Sequence, residues 1–300
     1  MNQRKTMNLK RKILFFLCIM FFPLQMALSL DFGIPSEIPP GEVKTIQLTQ
    51  TDFPPSVFYK GQNLLKDPLF AGWYKSSGGK GWSEITQGVL ESWSFEGTLF
   101  KTKYGYFSNS TEAQFGVQNV IPLLLGAEAD PVSYQNPVSF DGQTLGDLTL
   151  SWEIGIERAK GYVNPGYSGD IVALAFSKGQ YAFSIQAVNS TSNVDKSRLI
   201  ELAKKVEKKI GVAVSLNSIS KEMSTLISHQ GVLHSLQVKL DDFSKHYLKG
   251  EYNTALNNMN SFVNELDAQR GKHVSELAYP TLKALASTII ANTNSLLYTL

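Results

Sequence analysis

Cysteine is almost absent from this chain of 300 residues, and the one that occurs, Cys18, lies in an apolar run near the N-terminus. A single cysteine cannot form a disulfide within its own chain, so the fold must be stabilised by its core. A hydrophobic content of 43% is sufficient for this, because a chain of this length can bury one large core or two smaller ones.

Histidine is equally scarce, and residues 43–210 contain none. The four histidines are His229, His234, His246 and His273. Nucleophilic serine and cysteine sites use a histidine as base, so such a site is excluded from residues 43–210. Asp242 and His246 are one helical turn apart, but no further ligands follow at a recognisable metal-site spacing. We therefore expect no metal and no cofactor.

Residues 1–29 have the composition of a secretory signal peptide. A basic start precedes the apolar stretch 13–22, and Ala27-Leu28-Ser29 offers the small residues of a cleavage site. The alternative is an uncleaved membrane anchor, but Pro23 and Gln25 interrupt a run that would barely span a bilayer. We expect cleavage, export and no membrane attachment afterwards.

Loss of the signal would also change the charge of the chain. Residues 1–29 hold five basic and no acidic side chains, so 23 basic and 26 acidic residues remain, a net charge of about −3. Nucleic-acid-binding domains carry a basic surface, so we expect no nucleic-acid partner. Residues 30–42, with three prolines and two glycines, predict an extended leader.

Residues 43–211 predict an α+β domain with an antiparallel sheet backed by helices. Alternation of apolar and polar residues indicates strands over 89–99, 148–156 and 181–187, and a shorter strand is predicted over 43–48. In 181–187, Ala182, Ser184 and Gln186 are expected to form a solvent-facing side. Lys178-Gly179 predicts a hairpin turn.

Two helices are predicted in the same region. Asn109 with Glu112 resembles a helix-capping pair. Beyond Ser197 an apolar stripe recurs at helical spacing, with a set of charged residues expected on the opposite face. That set comprises Lys196, Glu201, Lys204, Lys205, Lys208 and Lys209.

Residues 217–297 predict a separate small bundle of helices. Apolar residues recur at steps of three and four over 233–247, 252–266 and 282–296. Gly250 and Gly271 stand between these stretches, where glycines often end helices. A short additional helix is predicted over 219–227.

A glycine-rich stretch at 71–82 carries three large aromatic side chains, Trp73, Tyr74 and Trp82. Exposed aromatics on a loop form surfaces that bind sugar rings or peptides. We interpret these three residues as the candidate ligand-binding residues, with burial in the core as the alternative.

Acidic residues in or beside the predicted strands keep a hydrolase possible, since a glycosidase needs only two carboxylates flanking a cleft. The candidates are Glu91, Glu96, Asp147, Glu153, Glu157 and Asp170. The pattern does not show which pair converges, and Asp170 has an alternative role as a turn residue. We name no catalytic residue.

The C-terminal part resembles the FIMAH-type helical module, which occurs at the C-terminal ends of exported bacterial and archaeal proteins. The resemblance lies in Leu240–Ser275, and the positions that carry it are Lys249-Gly250, Ala255, Phe262-Val263, Gln269 and Gly271-Lys272. Pro280 departs from the continuous last helix of that pattern. The resemblance implies an appended accessory module and names no chemistry.

Residues 43–210 are similar to a broad group of extracytoplasmic sensor-like or lipoprotein domains. The similarity lies in Leu48, Asp52, Phe53 and Pro54, in Ser108 and Ala113, and in a Gly-Asp hairpin followed by a helix containing Leu-Ala-Lys-Lys. It implies an antiparallel sheet with helices and a role in sensing a ligand or partner.

We therefore expect a secreted or extracytoplasmic, non-catalytic binding or interaction protein, whose partner is a glycan, a peptide or a component of the cell surface. A carboxylate-dependent hydrolase of glycans or similar polymers is one alternative. A structural surface protein is the other.

Overall fold

The computed structural model describes residues 41–53, 56, 58–64, 85–95, 98–107, 109–120, 141, 143–154, 170–189 and 194–297. These residues form a six-stranded sheet and six α-helices. The strands are β1 (Phe58–Leu64), β2 (Ile85–Phe95), β3 (Thr98–Phe107), β4 (Leu148–Ile154), β5 (Asp170–Lys178) and β6 (Tyr181–Asn189). The helices are α1 (Gly41–Ile46), α2 (Ser110–Phe115), α3 (Lys196–Leu226), α4 (Gln230–Tyr247), α5 (Tyr252–Gln269) and α6 (Ala278–Leu297).

The sheet consists of two antiparallel three-stranded units joined side by side. Strands β1, β2 and β3 form one unit and β4, β5 and β6 the other, and β3 pairs with β6 to give the order β1-β2-β3-β6-β5-β4. The predicted α+β class with an antiparallel sheet is confirmed. Strand β1 was not predicted, because its sequence FYKGQNL lacks an alternating pattern.

One face of the sheet packs against α1 and the first half of α3. In its core the ring of Phe183 contacts those of Tyr104 and Phe176. The centroid of Phe183 lies 5.3 Å from that of Tyr104 and 5.5 Å from that of Phe176. Leu202 and Val206 of α3 belong to the same cluster. The apolar stripe on α3 thus finds its partner in this face of the sheet.

The opposite face is also buried along β6. All nine residues of β6 are buried, so the predicted solvent-facing side of this strand is wrong. Helix α2 and the π-helix Gly116–Val120 lie over that face, and small side chains, Ala173, Ala175 and Ala182, allow their close approach. A central strand with helices on both faces has no side left for water.

Helix α3 connects the sheet to the C-terminal helices without a break. Its 31 residues extend over about 46 Å at 1.5 Å per residue. Asp195 caps its start by accepting hydrogen bonds from the backbone of Ser197 and Arg198 at 3.0 and 3.3 Å. The segments predicted as two helices, before residue 211 and over 219–227, are one helix whose second half packs in the C-terminal core.

The C-terminal helices α4, α5 and α6 pack with the end of α3 around one apolar core, as predicted. Gly250 and Gly271 lie between these helices with positive φ angles of 75° and 70°. Pro280 lies in the first turn of α6. There its missing N–H costs nothing, because the first N–H groups of a helix have no partner within it.

Two local predictions had opposite outcomes. The predicted strand over 43–48 is wrong, because residues 41–46 form α1, which places Val43 and Ile46 on one buried side. The predicted cap is confirmed, since the Asn109 side chain accepts a hydrogen bond from the backbone of Glu112 at 3.0 Å.

In the part of the chain that the structure describes, no helix is both long and apolar enough to span a bilayer. Helix α3 extends through residues 211–217, where the two predicted domains would meet. The domain boundaries themselves stay a prediction.

Candidate functional site

The three aromatic residues that the sequence pointed to, Trp73, Tyr74 and Trp82, lie outside the described residues, and their role stays a prediction. The same holds for Glu96 and Glu157 among the candidate carboxylates.

The remaining candidate carboxylates have separate positions. Asp147 accepts a hydrogen bond from the backbone of Gly179 at 2.7 Å, and Glu153 forms an ion pair with Lys196. Asp170 begins β5, and Glu91 is buried in β2. Asp147 therefore stabilises a turn, and Glu153 takes part in a surface ion pair.

A buried cluster of Asp52, Lys209 and Tyr252 lies where the sheet domain meets the C-terminal helices, and we call it the junction cluster. Asp52 ends a short 3₁₀-helix after α1, Lys209 lies in α3, and Tyr252 begins α5. The ion pair measures 2.8 Å, and the Asp52 and Lys209 side chains are 0% and 1% exposed.

Every hydrogen-bonding group of the Lys209 ammonium is used. It donates to the backbone oxygen of Gln47 at 2.9 Å and to the Tyr252 hydroxyl at 2.7 Å, and its third partner is Asp52. Since an ammonium has three donors, none is left for water. The rings of Tyr247 and Tyr252 lie 5.7 and 5.3 Å from the ammonium nitrogen and add cation–π attraction.

The Asp52 carboxylate is satisfied in the same way. One oxygen accepts from the Tyr252 hydroxyl at 3.0 Å. The other accepts from the backbone and hydroxyl of Thr49 at 2.6 and 3.0 Å as well as from Lys209. The backbone oxygen of Asp52 accepts from Lys205 at 3.0 Å.

These contacts keep both members of the ion pair charged. Burial by itself raises the pKa of Asp52, but the attraction and hydrogen bond of Lys209 outweigh it, so this pKa lies below its usual value. Burial lowers the pKa of Lys209, but Asp52 and Tyr252 outweigh that effect, so this pKa lies above its usual value.

The structure corrects the predicted exposure of two lysines. Lys205 and Lys209 were expected on the solvent side of their helix, yet they are 2% and 1% exposed. They lie four residues apart on one side of α3 and face the segment that contains Asp52. The sequence did hint at their burial, because the two lysines are spaced i, i+4 and each directly precedes an apolar core residue, Val206 or Ile210. That spacing alone does not distinguish a buried side of a helix from a solvated one.

A second polar group lies beside the junction cluster around Glu91. The Glu91 carboxyl accepts hydrogen bonds from the Gln47 amide at 2.8 Å and from the Thr102 hydroxyl at 3.4 Å. The Tyr104 hydroxyl, which also bonds to Glu91, accepts from the backbone of Leu48 at 3.1 Å. Burial raises the pKa of Glu91 to about 7. The hydrogen bonds and the more distant charge of Lys209 lower this pKa, but they do not outweigh burial.

The turn between α4 and α5 also contacts the segment before Asp52. A β-carbon added to Gly250 would lie 2.1 Å from the Thr51 hydroxyl and 2.9 Å from that of Thr49. These two hydroxyls are hydrogen-bonded to each other at 2.8 Å. The C-terminal helices are therefore fixed to the N-terminal segment both by the junction cluster and by this close approach.

His229, His246 and His273 have local partners. His229 caps α4 by accepting from the backbone of Val232 at 3.3 Å, and its ring centroid lies 4.0 Å from that of His273. His246 contacts Glu251 across the α4–α5 turn. The described residues include no group of three or more His, Cys, Asp or Glu side chains arranged to hold a metal ion.

A solvent-accessible groove lies further along α3. Its first part, of about 270 Å³, lies between α1, α3 and α4 and is lined among others by Thr45, Asn217, Ser220, Gln237, Asp241 and Ser244. Tyr181 at the start of β6 contributes from the sheet. Helices of the C-terminal bundle and elements of the sheet domain thus form its walls together.

The second part of the groove continues toward the β5–β6 hairpin. It has a volume of about 470 Å³, and its lining includes Tyr106, Asn109, Gln180 and Val214. Tyr181 and Asn217 line both parts, so the two lie side by side. We call the whole the interface groove.

The junction cluster and the interface groove suit different tasks. The cluster is sealed from solvent, so no substrate reaches its charged groups, and its effect is to hold two parts of the chain together. The groove is open to solvent, and ligand sites often lie where two parts of a chain meet. It is the candidate functional site.

Replacing Gly250 by alanine should destabilise the protein more than the same change at Gly179. Both glycines have positive φ, 75° and 56°, so both changes incur a backbone cost of about 1–2 kcal/mol. Around Gly179 an added methyl group meets no atom within 4 Å, whereas at Gly250 it collides with Thr49 and Thr51. Urea unfolding followed by tryptophan fluorescence measures both. Equal losses would show that the turn is not tightly packed on this segment.

Replacing Glu91 by glutamine should remove a pH dependence of stability. The pKa of Glu91 rises from 4.5 to about 7 on folding, so its contribution is complete below pH 4.5 and is lost as the pH rises through 7. At pH 8 the glutamine variant should be more stable than the unchanged protein by roughly 3 kcal/mol. Urea unfolding between pH 5 and 8 tests this.

The control for that experiment is Glu222→Gln, a half-exposed carboxylate on α3. It should not reproduce the stabilisation that Glu91→Gln gives at pH 8. A flat profile in the unchanged protein would contradict the role assigned to Glu91.

Comparison with known proteins identifies a related family for the C-terminal part of the chain. No curated protein matches the sequence. Residues 222–291 match the family model of the FIMAH domain, a span that begins in the last turns of α3 and includes α4, α5 and most of α6. The FIMAH domain is typically found in exported proteins. The resemblance predicted for the C-terminal part is confirmed: it matches the FIMAH domain.

Proposed function

We propose that this protein is an exported, non-catalytic binding protein and that the interface groove holds its ligand. Export is supported by the signal-peptide pattern of residues 1–29 and by the FIMAH match. The observation that carries the binding role is the groove itself, whose walls come from the FIMAH domain and from the sheet domain together. A ligand bound there contacts both.

The joint wall gives the FIMAH domain a more direct role than that of an appended accessory. Gln237, Asp241 and Ser244 of α4 lie within the match, while Thr45 and Tyr181 lie outside it. The junction cluster fixes these two walls relative to each other through buried contacts. A groove with fixed walls binds without first paying the entropy of ordering them.

The distribution of charge favours binding over hydrolysis. A glycosidase needs two carboxylates on opposite sides of its substrate. Among the described side chains that line the groove, Asp241 is the one carboxylate, and it accepts a hydrogen bond from Gln237 at 2.9 Å. The buried carboxylates Asp52 and Glu91 are engaged elsewhere. This arrangement supports a partner that is held and not cleaved.

Exported protein should begin near Leu30. Expression with the native N-terminal segment, followed by intact-mass measurement of the secreted material, checks this. Cleavage after Ser29 removes the basic start and the apolar stretch. A mass that includes Met1 would contradict cleavage.

Replacing Ser220 by tryptophan should weaken ligand binding without harming the fold. Ser220 is an exposed residue of α3 in the groove lining, so a bulky ring there fills the space that the ligand needs. The measurement is a binding screen of glycans and peptides on the purified exported protein. The variant should lose at least about tenfold in affinity for any ligand found.

The matched control is Ser224→Trp, one turn further along α3, which is equally exposed and is not part of the lining. It should bind as the unchanged protein does. Equal loss in both variants, or none in Ser220→Trp, would place the binding site elsewhere.

A further inference from the structure

We infer that the interface groove binds a neutral carbohydrate chain. This inference rests on the proposed function, because it names the ligand of that same site. It follows from the chemistry of the lining, from the near absence of charge in it and from the shape of the groove.

The lining offers groups that both donate and accept hydrogen bonds. Hydroxyls come from Thr45, Ser220 and Ser244, and side-chain amides come from Asn217 and Gln237. The hairpin end adds the amide group of Asn109, whose oxygen also caps α2, and the hydroxyl of Tyr106, which donates to Gln180 and keeps its acceptor capacity. Sugar hydroxyls are themselves both donors and acceptors, so amides and hydroxyls match them without any charge.

The charge of the lining argues against acidic and basic ligands. No lysine or arginine belongs to the described residues that line either part of the groove. Phosphate, sulfate and carboxylate ligands are commonly bound with arginine or lysine. Asp241 alone would favour a cation weakly, and its carboxylate already accepts from Gln237. A carboxylate and amide pair of this kind also suits the paired hydroxyls of a sugar ring.

An aromatic side chain lies in the same groove. The ring of Tyr106 packs against that of Tyr181 with centroids 5.0 Å apart and planes tilted by 60°. Tyr181 is 2% exposed and forms the floor, while Tyr106 is half-buried and reaches the groove. The Tyr106 hydroxyl donates to the Gln180 amide oxygen at 3.0 Å, which fixes the ring. A tyrosine with one apolar surface and one polar tip suits the face and the hydroxyls of a sugar.

The shape of the groove favours a chain of sugars over a single small molecule. Its two parts, of about 270 and 470 Å³, adjoin at Tyr181 and Asn217 and extend from α4 to the β5–β6 hairpin. Asn217 lies at the midpoint, exposed on α3. A ligand that fills both parts must pass over it.

The test compares neutral and charged probes on the purified exported protein by isothermal titration calorimetry. The neutral probes are oligomers of glucose, xylose and mannose. The charged probes are oligogalacturonate and a sulfated oligosaccharide, and an uncharged serine- and asparagine-rich peptide is the remaining probe. Asn217→Ala should weaken binding of a neutral oligomer about tenfold, the effect of one lost hydrogen-bonding side chain.

The matched control is Asn257→Ala, an exposed asparagine on α5 outside the groove, and it should bind as the unchanged protein does. Affinity for the neutral oligomer should also stay constant between about 0.05 and 0.5 M salt, because salt screens only charge–charge attraction.

The other outcomes separate the two proposals. Suppose that no neutral oligomer binds, but that a charged probe or the peptide binds and Ser220→Trp loses this binding. That result overturns the carbohydrate inference and leaves the proposed function standing. Binding of a neutral oligomer that neither Asn217→Ala nor Ser220→Trp weakens overturns the assignment to the groove. If no probe binds, both proposals fail.

Discussion

The ion pair between Lys209 and Asp52 is the contact on which the joining of the sheet domain and the C-terminal helices depends. Removing two charges from water costs several kcal/mol per ion. That cost is offset only because the ammonium meets three acceptors and the carboxylate meets four donors, all from protein. These partners come from the N-terminal segment, α3 and α5. Displacing any one of the three segments leaves a buried charge unpaired, so the cluster specifies one arrangement of all three.

Helix α3 transmits this constraint to the groove. Asn217 and Ser220 follow Lys209 after about two and three turns, so Ser220 lies on the same side of the helix as Lys209 and lines the groove further along it. Fixing the start of α5 through Tyr252 also fixes α4, since the two helices join at the Gly250 turn and pack along their lengths. The distance between the groove walls is therefore set by contacts that no ligand touches. Binding energy then goes into the ligand contacts and not into ordering the protein.

Much of this fold could be predicted from local pattern, and the junction could not. The C-terminal helices, β4 and the β5–β6 hairpin follow from periodicity and turn residues, which act over a few positions. The junction cluster joins residues separated by 157 and 43 positions, and periodicity carries no information at that range. Asp52 and Lys205 do belong to short motifs that the sequence singled out, yet their contact becomes visible only in three dimensions. The strand predicted over 43–48 was wrong for a similar reason. The β-branched side chains of Val43 and Ile46 favour a strand, but packing against the sheet, which the local sequence does not show, places both residues in α1.

Two buried carboxyl groups, Asp52 within the junction cluster and Glu91 beside it, affect stability in opposite directions as the pH changes. The pKa of Asp52 is lowered from 3.8 on folding, so its contribution to stability is complete above that value and is lost as the pH falls. The pKa of Glu91 is raised from 4.5 to about 7, so its contribution is complete below 4.5 and is lost as the pH rises through 7. Both contributions coexist only in mildly acidic solution, where Asp52 is charged and Glu91 is largely neutral. The Glu91 contribution declines steadily between its two pKa values, so the two contributions together are largest at about pH 4 to 5.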